Sequence, residues 1–197
     1  MFVNWPERFF CNSPVRSFLL GRQARTLLAM RPLPPGTDIL EIGCGNGAGA
    51  RHVMALTAPR SYQALDPDPD MLALARRRLA GTVARVVEGD AQNLPFPEAS
   101  FDAVFNFGII HHLEDWRSGI AEAARALRPR GAFYIEEIFP GLYANAILKH
   151  VVAHPTVDRF HAPEFKAALA ENGLHLLPGG HESEKTMLGV AVKREDA

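Results

Sequence analysis

The sequence predicts an α/β fold built on a doubly wound, mostly parallel sheet with helices on both faces. Three observations predict it. Short apolar runs alternate with amphipathic segments between residues 37 and 138, which is typical of parallel strands joined by helices. A glycine-rich loop follows the first of these runs. The last apolar stretches, within residues 174–193, flank a polar turn and predict a C-terminal antiparallel hairpin.

The predicted elements follow one another regularly. After an aromatic N-terminal arm, a helix is expected over residues 12–30, because Ser13 can cap it and Pro14 suits its first turn. Asp68 and Asp115 are expected to open two later helices. Together with the hairpin, the sheet has seven strands. The five strands before the hairpin are TDILEI, SYQALD, TVARVVEGD, SFDAVFNFG and GAFYIEEIF.

Composition narrows the classes of function. Hydrophobic residues make up 47% of the chain, charged residues 22%, and the formal net charge is −1, so nucleic acid is not the expected partner. Two cysteines cannot build a disulfide framework. The first residues lack the features of a signal peptide, and no stretch reaches the roughly 18 apolar residues of a membrane span. We therefore expect a soluble cytoplasmic protein without integral membrane association.

The glycine-rich loop EIGCGNGAGA, residues 41–50, is the central motif. It lacks the G-K-[ST] of a P-loop. It fits a dinucleotide fingerprint, because Asp66 lies 23 positions after Gly43 and could bind a ribose. However, Glu41 lies where a pyrophosphate would approach, and its carboxylate would repel phosphates while favouring a cationic ligand.

Two further features favour a ligand without phosphate. Asp90 follows the third predicted strand, where a polar side chain can bind an adenine amino group. The hairpin adds a late antiparallel strand, which dehydrogenase sheets do not usually have. A ligand with a ribose diol, an adenine and a positive charge satisfies these constraints. S-adenosylmethionine is such a ligand.

At these motifs the chain resembles the class I S-adenosylmethionine-dependent methyltransferases, in particular the small-molecule group that includes the ubiquinone and menaquinone methyltransferases. The resemblance rests on ILEIGCGNGAGA, ALDPDPDML, EGDAQNLPFPEASFDAVFNFGIIHHL and RALRPRGAFYIEE, in this order. It implies a Rossmann-like fold. Arg130 departs from the pattern where a second turn glycine is common, and Asn46 departs where a small hydroxyl residue often lies.

The resemblance implies one domain, residues 1–197, in three parts. These are an N-terminal arm and helix (1–36), a cofactor-binding core (37–138), and an acceptor-side segment with the closing hairpin (139–197). The length suits a single hydrophobic core. Ligands are expected at the carboxyl ends of the parallel strands.

The resemblance also assigns roles to the motif residues. Glu41 is expected to face the methionyl end of the cofactor, Asp66 to accept hydrogen bonds from both ribose hydroxyls, and Asp90 to bind the adenine edge. Ordinary helix packing remains an alternative for Met71. The implied cofactor-binding residues are Glu41, Gly43, Cys44, Gly45, Gly47, Asp66, Pro67, Met71, Asp90, Ala91, Asn106, Phe107 and Gly108.

Two histidines follow the fourth strand, close to where the transferred methyl group would lie. Either His111 or His112 can act as a base or orient the acceptor, and both can equally be satisfied by backbone groups. In the resembled family the second of such a pair is often structural. His111 is therefore the candidate catalytic residue.

No metal site is expected. The D-x-D-x-D pattern of residues 66–70 lacks the glycine and the glutamate of a calcium loop. Four other side chains have a spacing that suits zinc, but a proline breaks their helix at once. These are His150, His154, Asp158 and His161.

The predicted function is methyl transfer from S-adenosylmethionine to a small, apolar or aromatic acceptor by in-line displacement, with S-adenosylhomocysteine as product. The acceptor, the methylated atom and the oligomeric state do not follow from the motifs, because the cofactor carries the reactivity. The alternatives are an NAD(P)-dependent oxidoreductase and a non-catalytic S-adenosylmethionine-binding protein. Large side chains in the least regular segments could contact the acceptor or be ordinary packing: Trp5, Phe9, Phe10, Phe139, Tyr143, Ile147 and Phe160.

Overall fold

One eight-stranded sheet forms the centre of the computed structural model, which describes residues 5–143 and 159–195. The strands are β1 (Asp38–Ile42), β2 (Ser61–Asp66), β3 (Ala84–Glu88), β4 (Phe101–Phe107), β5 (Leu127–Ile138), β6 (Leu174–Leu176), β7 (His181–Glu182) and β8 (Thr186–Lys193). Some residues named from the sequence lie outside the described part: Ile147, His150, His154, Asp158, and the side chains of Trp5 and Tyr143.

The strand order confirms the predicted mostly parallel sheet with a closing hairpin. Along the sheet the order is β3-β2-β1-β4-β5-β8-β6, with β7 paired to β8. Strands β1 to β5 run parallel, whereas β8 is antiparallel to both β5 and β6. The sequence did not predict β7, because its two exposed residues carry no apolar pattern.

The helices cover both faces of the sheet. Side chains of α5 and α7 share one apolar cluster with Leu40 of β1, and side chains of α2, α3 and α4 share another with Ile39. Strand β1 is therefore buried on both faces, as expected for a central parallel strand. The helices are α1 (Trp5–Cys11), α2 (Pro14–Met30), α3 (Ala48–Thr57), α4 (Pro69–Arg78), α5 (Trp116–Ala126), α6 (Pro140–Tyr143) and α7 (Ala162–Glu171). Within the described ranges, none of them has the length and apolarity needed to cross a bilayer.

The strand order creates a crevice between the ends of β1 and β4. These two strands are neighbours, but the chain leaves β1 towards β2 and leaves β4 towards β5. The two connecting loops therefore diverge at the carboxyl edge of the sheet. Such a point of divergence is where ligands bind in open α/β sheets.

Local sequence signals positioned three helix starts correctly. The Ser13 hydroxyl accepts from the backbone N–H of Arg16, and the carboxylates of Asp68 and Asp115 cap α4 and α5. The N-terminal arm differs from expectation, because residues 5–11 form the helix α1. Its seven residues are too short to give a reliable helical period in the sequence.

Arg130 occupies a backbone conformation that suits glycine. Its φ is +65°, in the left-handed region, where a side chain is strained. This explains why the resembled family commonly has a glycine here. The Arg130 side chain is exposed and pairs with Glu195, an interaction that contributes little at a surface.

We predict that Arg130→Gly stabilises the protein, because glycine adopts this φ without strain. The expected gain is up to about 1 kcal/mol, which corresponds to a rise of roughly 2–4 °C in Tm. Thermal unfolding of Arg130→Gly and of the control Arg130→Ala measures it. The control removes the same side chain but keeps the strained φ, so equal Tm values for the two variants would contradict the prediction.

Candidate cofactor site

A cavity of about 300 Å³ opens at the carboxyl edge of the sheet, beside the ends of β1, β2 and β4. It is lined by most of the residues that the sequence nominated, although these come from separate motifs. The nominated residues that line it are Glu41, Gly43, Cys44, Gly45, Asp66, Pro67, Met71, Asp90, Ala91, Phe107 and Gly108.

Three nominated residues do not line this cavity. Gly47 is the N-cap of α3, and a Cβ there would lie 3.1 Å from the side chain of Leu79. Asn106 is fully buried; its amide donates to the Glu137 carboxylate at 2.9 Å, and its oxygen accepts from the N–H of Ile109 at 3.0 Å. Asn106 thus holds the turn after β4 against β5. The third is His111.

The glycine loop leaves room for a ligand. Gly43 has a φ of +66°, and a Cβ there would overlap the side chain of Ile109. Gly45 has a φ of +51°, but a Cβ there would meet nothing within 4 Å. A backbone with a positive φ beside open space is the arrangement in which a ligand can approach the main chain closely. The loop therefore fits the adenosyl ligand that its sequence suggests.

Asp66 ends β2 with both carboxylate oxygens fixed. One oxygen accepts from the N–H of Gly45 at 2.8 Å, and the other accepts from the N–H of Asp68 at 2.9 Å. Burial raises the pKa of Asp66 despite these two hydrogen bonds. A carboxylate has lone pairs for further donors, so this fixed group can accept from a pair of hydroxyls.

Glu41 is almost completely buried and accepts a hydrogen bond from the hydroxyl of Tyr62 at 2.8 Å. Burial raises the pKa of Glu41 to about 8, and the nearby charge of Asp66 acts in the same direction. A Cβ on Gly49 would overlap the Glu41 carboxyl, so the glycine makes room for it. In the absence of a cationic ligand, Glu41 holds a proton at neutral pH.

The two histidines have different surroundings. His111 Nδ1 hydrogen-bonds the carboxylate of Glu137, whereas His112 lines the cavity, with the two rings 4.1 Å apart. Burial lowers the pKa of His111 to about 3, with the charge of Arg16 acting in the same direction, and burial raises the pKa of Glu137 to about 7. The sequence did not identify Glu137, because its partner lies 26 positions away.

The N-terminal helices also contribute to the cavity, through residues that the sequence analysis did not name. Cys11, Arg16 and Leu20 line it from α1 and α2. The Asn46 amide, in the glycine loop, donates to the Cys11 carbonyl at 3.2 Å and to the Asn12 side chain at 2.6 Å. Asn46, one of the two departures from the family pattern, thus ties these helices to the loop.

Other contacts hold the same helices over the cavity. Arg8 of α1 pairs with Asp68 and Asp70 at the start of α4.

Arg16 and Leu20 lie one helical turn apart on α2. This spacing along the buried face of the helix is the sequence signal that could have identified them as site residues.

Of the aromatic side chains named as possible acceptor contacts, the structure describes four, of which two are buried and two are exposed. Phe139 and Phe160 are buried in the core, where Phe160 lies 4.5 Å from the ring of Trp116. Phe9 and Phe10 are exposed. The apolar part of the cavity includes Leu20 of α2 and Ile109 and Leu113 of the segment after β4, together with side chains of the core such as Leu65 and Met71.

Comparison with known proteins agrees with this geometry. Residues 40–135 match the family model described as "Methyltransferase domain". The chain is 36% identical over 142 residues to a fatty-acid O-methyltransferase of Mycolicibacterium smegmatis, which covers 72% of this chain and 45% of the relative. It is 37% identical over 105 residues to a phthiotriol/phenolphthiotriol dimycocerosates methyltransferase of Mycobacterium tuberculosis, covering 53% of this chain and 39% of the relative. The match therefore spans less than half the length of either relative.

The fold is also similar to solved structures. A SAM-dependent methyltransferase from Aquifex aeolicus aligns with a TM-score of 0.75 at 16% identity, covering 96% of this chain and 98% of that chain. At such low identity the similarity concerns the fold alone.

We predict that ligand binding releases a proton from Glu41. A cationic ligand stabilises the Glu41 carboxylate, so its pKa of about 8 falls on binding, and affinity rises as the pH increases from 6 to 8. Calorimetric titration with S-adenosylmethionine, which carries the sulfonium charge, in buffers of different ionisation enthalpy at pH 7, measures the proton count.

The matched control is Glu41→Gln, which keeps the shape of the side chain but has no proton to release. If the binding enthalpy of the unsubstituted protein is the same in all buffers, no proton is released, and this would contradict the prediction for Glu41.

Proposed function

Because this chain belongs to the class I S-adenosylmethionine-dependent methyltransferases, we propose that it methylates an oxygen atom of a small, apolar, lipid-like acceptor. The observation that carries this proposal is the cavity in which the open side of Gly45 adjoins the fixed carboxylate of Asp66. The two relatives, named for a fatty acid and a triol, support an oxygen acceptor.

In this proposal three acidic residues of the cavity bind different parts of the cofactor. Asp66 accepts from the ribose hydroxyls, Asp90 and Ala91 hold the adenine edge, and Glu41 faces the positively charged methionyl end. When bound, the cofactor supplies an electrophilic methyl group on a sulfonium. The protein aligns the acceptor with that group and excludes water.

Apolar side chains support an apolar acceptor. Leu20, Ile109 and Leu113 line the cavity beside the end of β4, next to the region expected for the methionyl end. An acyl or alkyl chain would bury surface against them, which is favourable by about 25 cal/mol per Å². The near-neutral net charge also favours such an acceptor over nucleic acid.

His111 is proposed as the base for a hydroxyl acceptor. Its Nδ1 interacts with Glu137, which fixes the ring and would stabilise the imidazolium formed on proton transfer. Its Cε1 lies 3.7 Å from the Cβ position of Gly108, which lines the cavity. A carboxylate acceptor needs no such base, because it is already ionised at neutral pH.

We place this reaction in the cytoplasm. The two cysteines, Cys11 and Cys44, form no disulfide, which is consistent with a reducing compartment.

The first test is calorimetric titration with S-adenosylhomocysteine, with NAD in parallel. Asp66→Asn removes the charge that strengthens hydrogen bonds from the ribose, each worth about 1.5–3 kcal/mol, so S-adenosylhomocysteine should bind at least about tenfold more weakly. Glu98→Gln is the matched control, because Glu98 is exposed and precedes β4 at the opposite edge of the sheet. Binding of NAD alone would refute the proposal in favour of the oxidoreductase alternative.

The second test separates the two kinds of oxygen acceptor by their pH profiles. At saturating cofactor, methylation of a long-chain alcohol should rise as the pH passes about 7, where Glu137 becomes a carboxylate and the His111–Glu137 pair can take up a proton. Methylation of a fatty acid should not change in this window. Transfer of a labelled methyl group between pH 6 and 8 measures both.

His111→Gln and His112→Gln complete this test. Only the first should abolish the rise with the alcohol. Equal effects of the two variants, or identical profiles for both acceptors, would refute His111 as the base. Binding of S-adenosylhomocysteine without transfer to either acceptor would favour the non-catalytic alternative.

A further inference from the structure

We propose that Arg16 binds the carboxylate of the cofactor's methionyl group, so that helix α2 completes a site whose other residues belong to the methyltransferase core. This inference rests on the proposed function in one respect, since it takes S-adenosylmethionine as the ligand. It concerns a residue outside both the matched family region and the sequence motifs.

The charges of the cavity lining are mostly negative. The cavity is lined by the carboxyl groups of several acidic residues, and among the described lining residues Arg16 is the only lysine or arginine. A ligand carboxylate placed in this lining would be repelled by like charges and needs a cation close to it. The acidic lining residues are Glu41, Asp66, Asp68, Asp90 and Glu114.

The order of the strands indicates where the amino-acid end of the ligand lies. Asp90 follows β3, Asp66 ends β2, Glu41 lies in β1, and Phe107 ends β4, in the same order in which these strands lie across the sheet. Neighbouring strands are about 4.8 Å apart, so the ends of β2 and β4 are separated by about 10 Å. A ligand with its ribose at Asp66 and its adenine towards β3 therefore extends its amino-acid end towards β4.

Arg16 lies at this end of the cavity. Its Nη2 donates to the carbonyl of Phe107 at 3.0 Å. The guanidinium is also close enough to Glu41 and His111 for its charge to lower the pKa of each. The cation therefore lies beside the region that receives the methionyl group, and away from the adenine end.

Neighbouring groups fix the Arg16 guanidinium but do not use all of its N–H donors. Nη2 also donates to Glu136 at 3.1 Å, and Nη1 donates to Gln23 at 3.4 Å. Gln23 in turn donates to the other oxygen of Glu136 at 3.0 Å. These contacts use three of the five N–H groups of an arginine, which leaves two for a carboxylate.

Gly108 keeps this arrangement open. A Cβ at Gly108 would lie 3.1 Å from the Glu136 carboxylate and 3.6 Å from Arg16 Nη2. A side chain there would crowd the pair from the cavity side. The glycine after β4 thus gives the ligand access to the guanidinium.

The test compares two ligands that differ only in the carboxylate. S-adenosylmethionine and its decarboxylated analogue both carry the adenosine, the sulfonium and the ammonium. Arg16→Gln should weaken binding of S-adenosylmethionine by about 10- to 100-fold, because charge-assisted hydrogen bonds are lost. Binding of the decarboxylated analogue should stay unchanged. Calorimetry measures both dissociation constants without any turnover.

Two further variants make the result specific. Arg22→Gln is the matched control, because Arg22 is an exposed arginine of the same helix and should affect neither ligand. Arg16→Lys keeps the charge but loses the planar fork, so its loss should be smaller and again confined to the ligand with the carboxylate.

Equal weakening of both ligands in Arg16→Gln and Arg16→Lys would overturn the inference, since it would show that Arg16 only supports the structure. Unchanged binding of S-adenosylmethionine in both variants would also overturn it. If the unsubstituted protein binds neither ligand, the proposed function itself fails, which is a distinguishable result.

Discussion

The hydrogen bond from the Gly45 N–H to the Asp66 carboxylate ties the loop after β1 to the end of β2. The rest of the site depends on this link, because it fixes the glycine loop and the orientation of the carboxylate at the same time. The second oxygen of Asp66 is held by the N–H of Asp68, whose own side chain caps α4. A single carboxylate thus connects a loop, a strand and a helix around the cavity.

The site buries several acidic groups, and burial makes their ionised forms less favourable. Burial raises the pKa of Glu41 to about 8 and of Glu137 to about 7, and Asp66 is raised in the same direction. Each group binds a proton more tightly in the folded chain than in the unfolded chain. Their contribution to stability is therefore present at low pH and is lost as the pH rises through the native pKa values. A cationic ligand offsets that loss where it meets Glu41.

The N-terminal helices turn an open edge of the sheet into an enclosed cavity. Arg8 holds α1 to the start of α4, and Asn46 holds the junction of α1 and α2 to the glycine loop. Arg16 reaches further, to the ends of β4 and β5. The core supplies the acidic residues of the cavity, and helix α2 supplies the cation. This division explains why a family motif that covers residues 40–135 describes only part of the site.

The sequence by itself determined the alternation of strands and helices, the caps at Ser13 and Asp68, and the glycine loop, because these depend on neighbours within a few positions. Motif spacing also identified Asp66 and Asp90 as candidate site residues, and both line the cavity. Only the tertiary structure decided what faces the cavity from elsewhere. Arg16 meets partners 91 and 120 positions away, and no local pattern encodes such contacts. For the same reason the burial of Phe139, and the different surroundings of His111 and His112, became visible only when distant elements packed together.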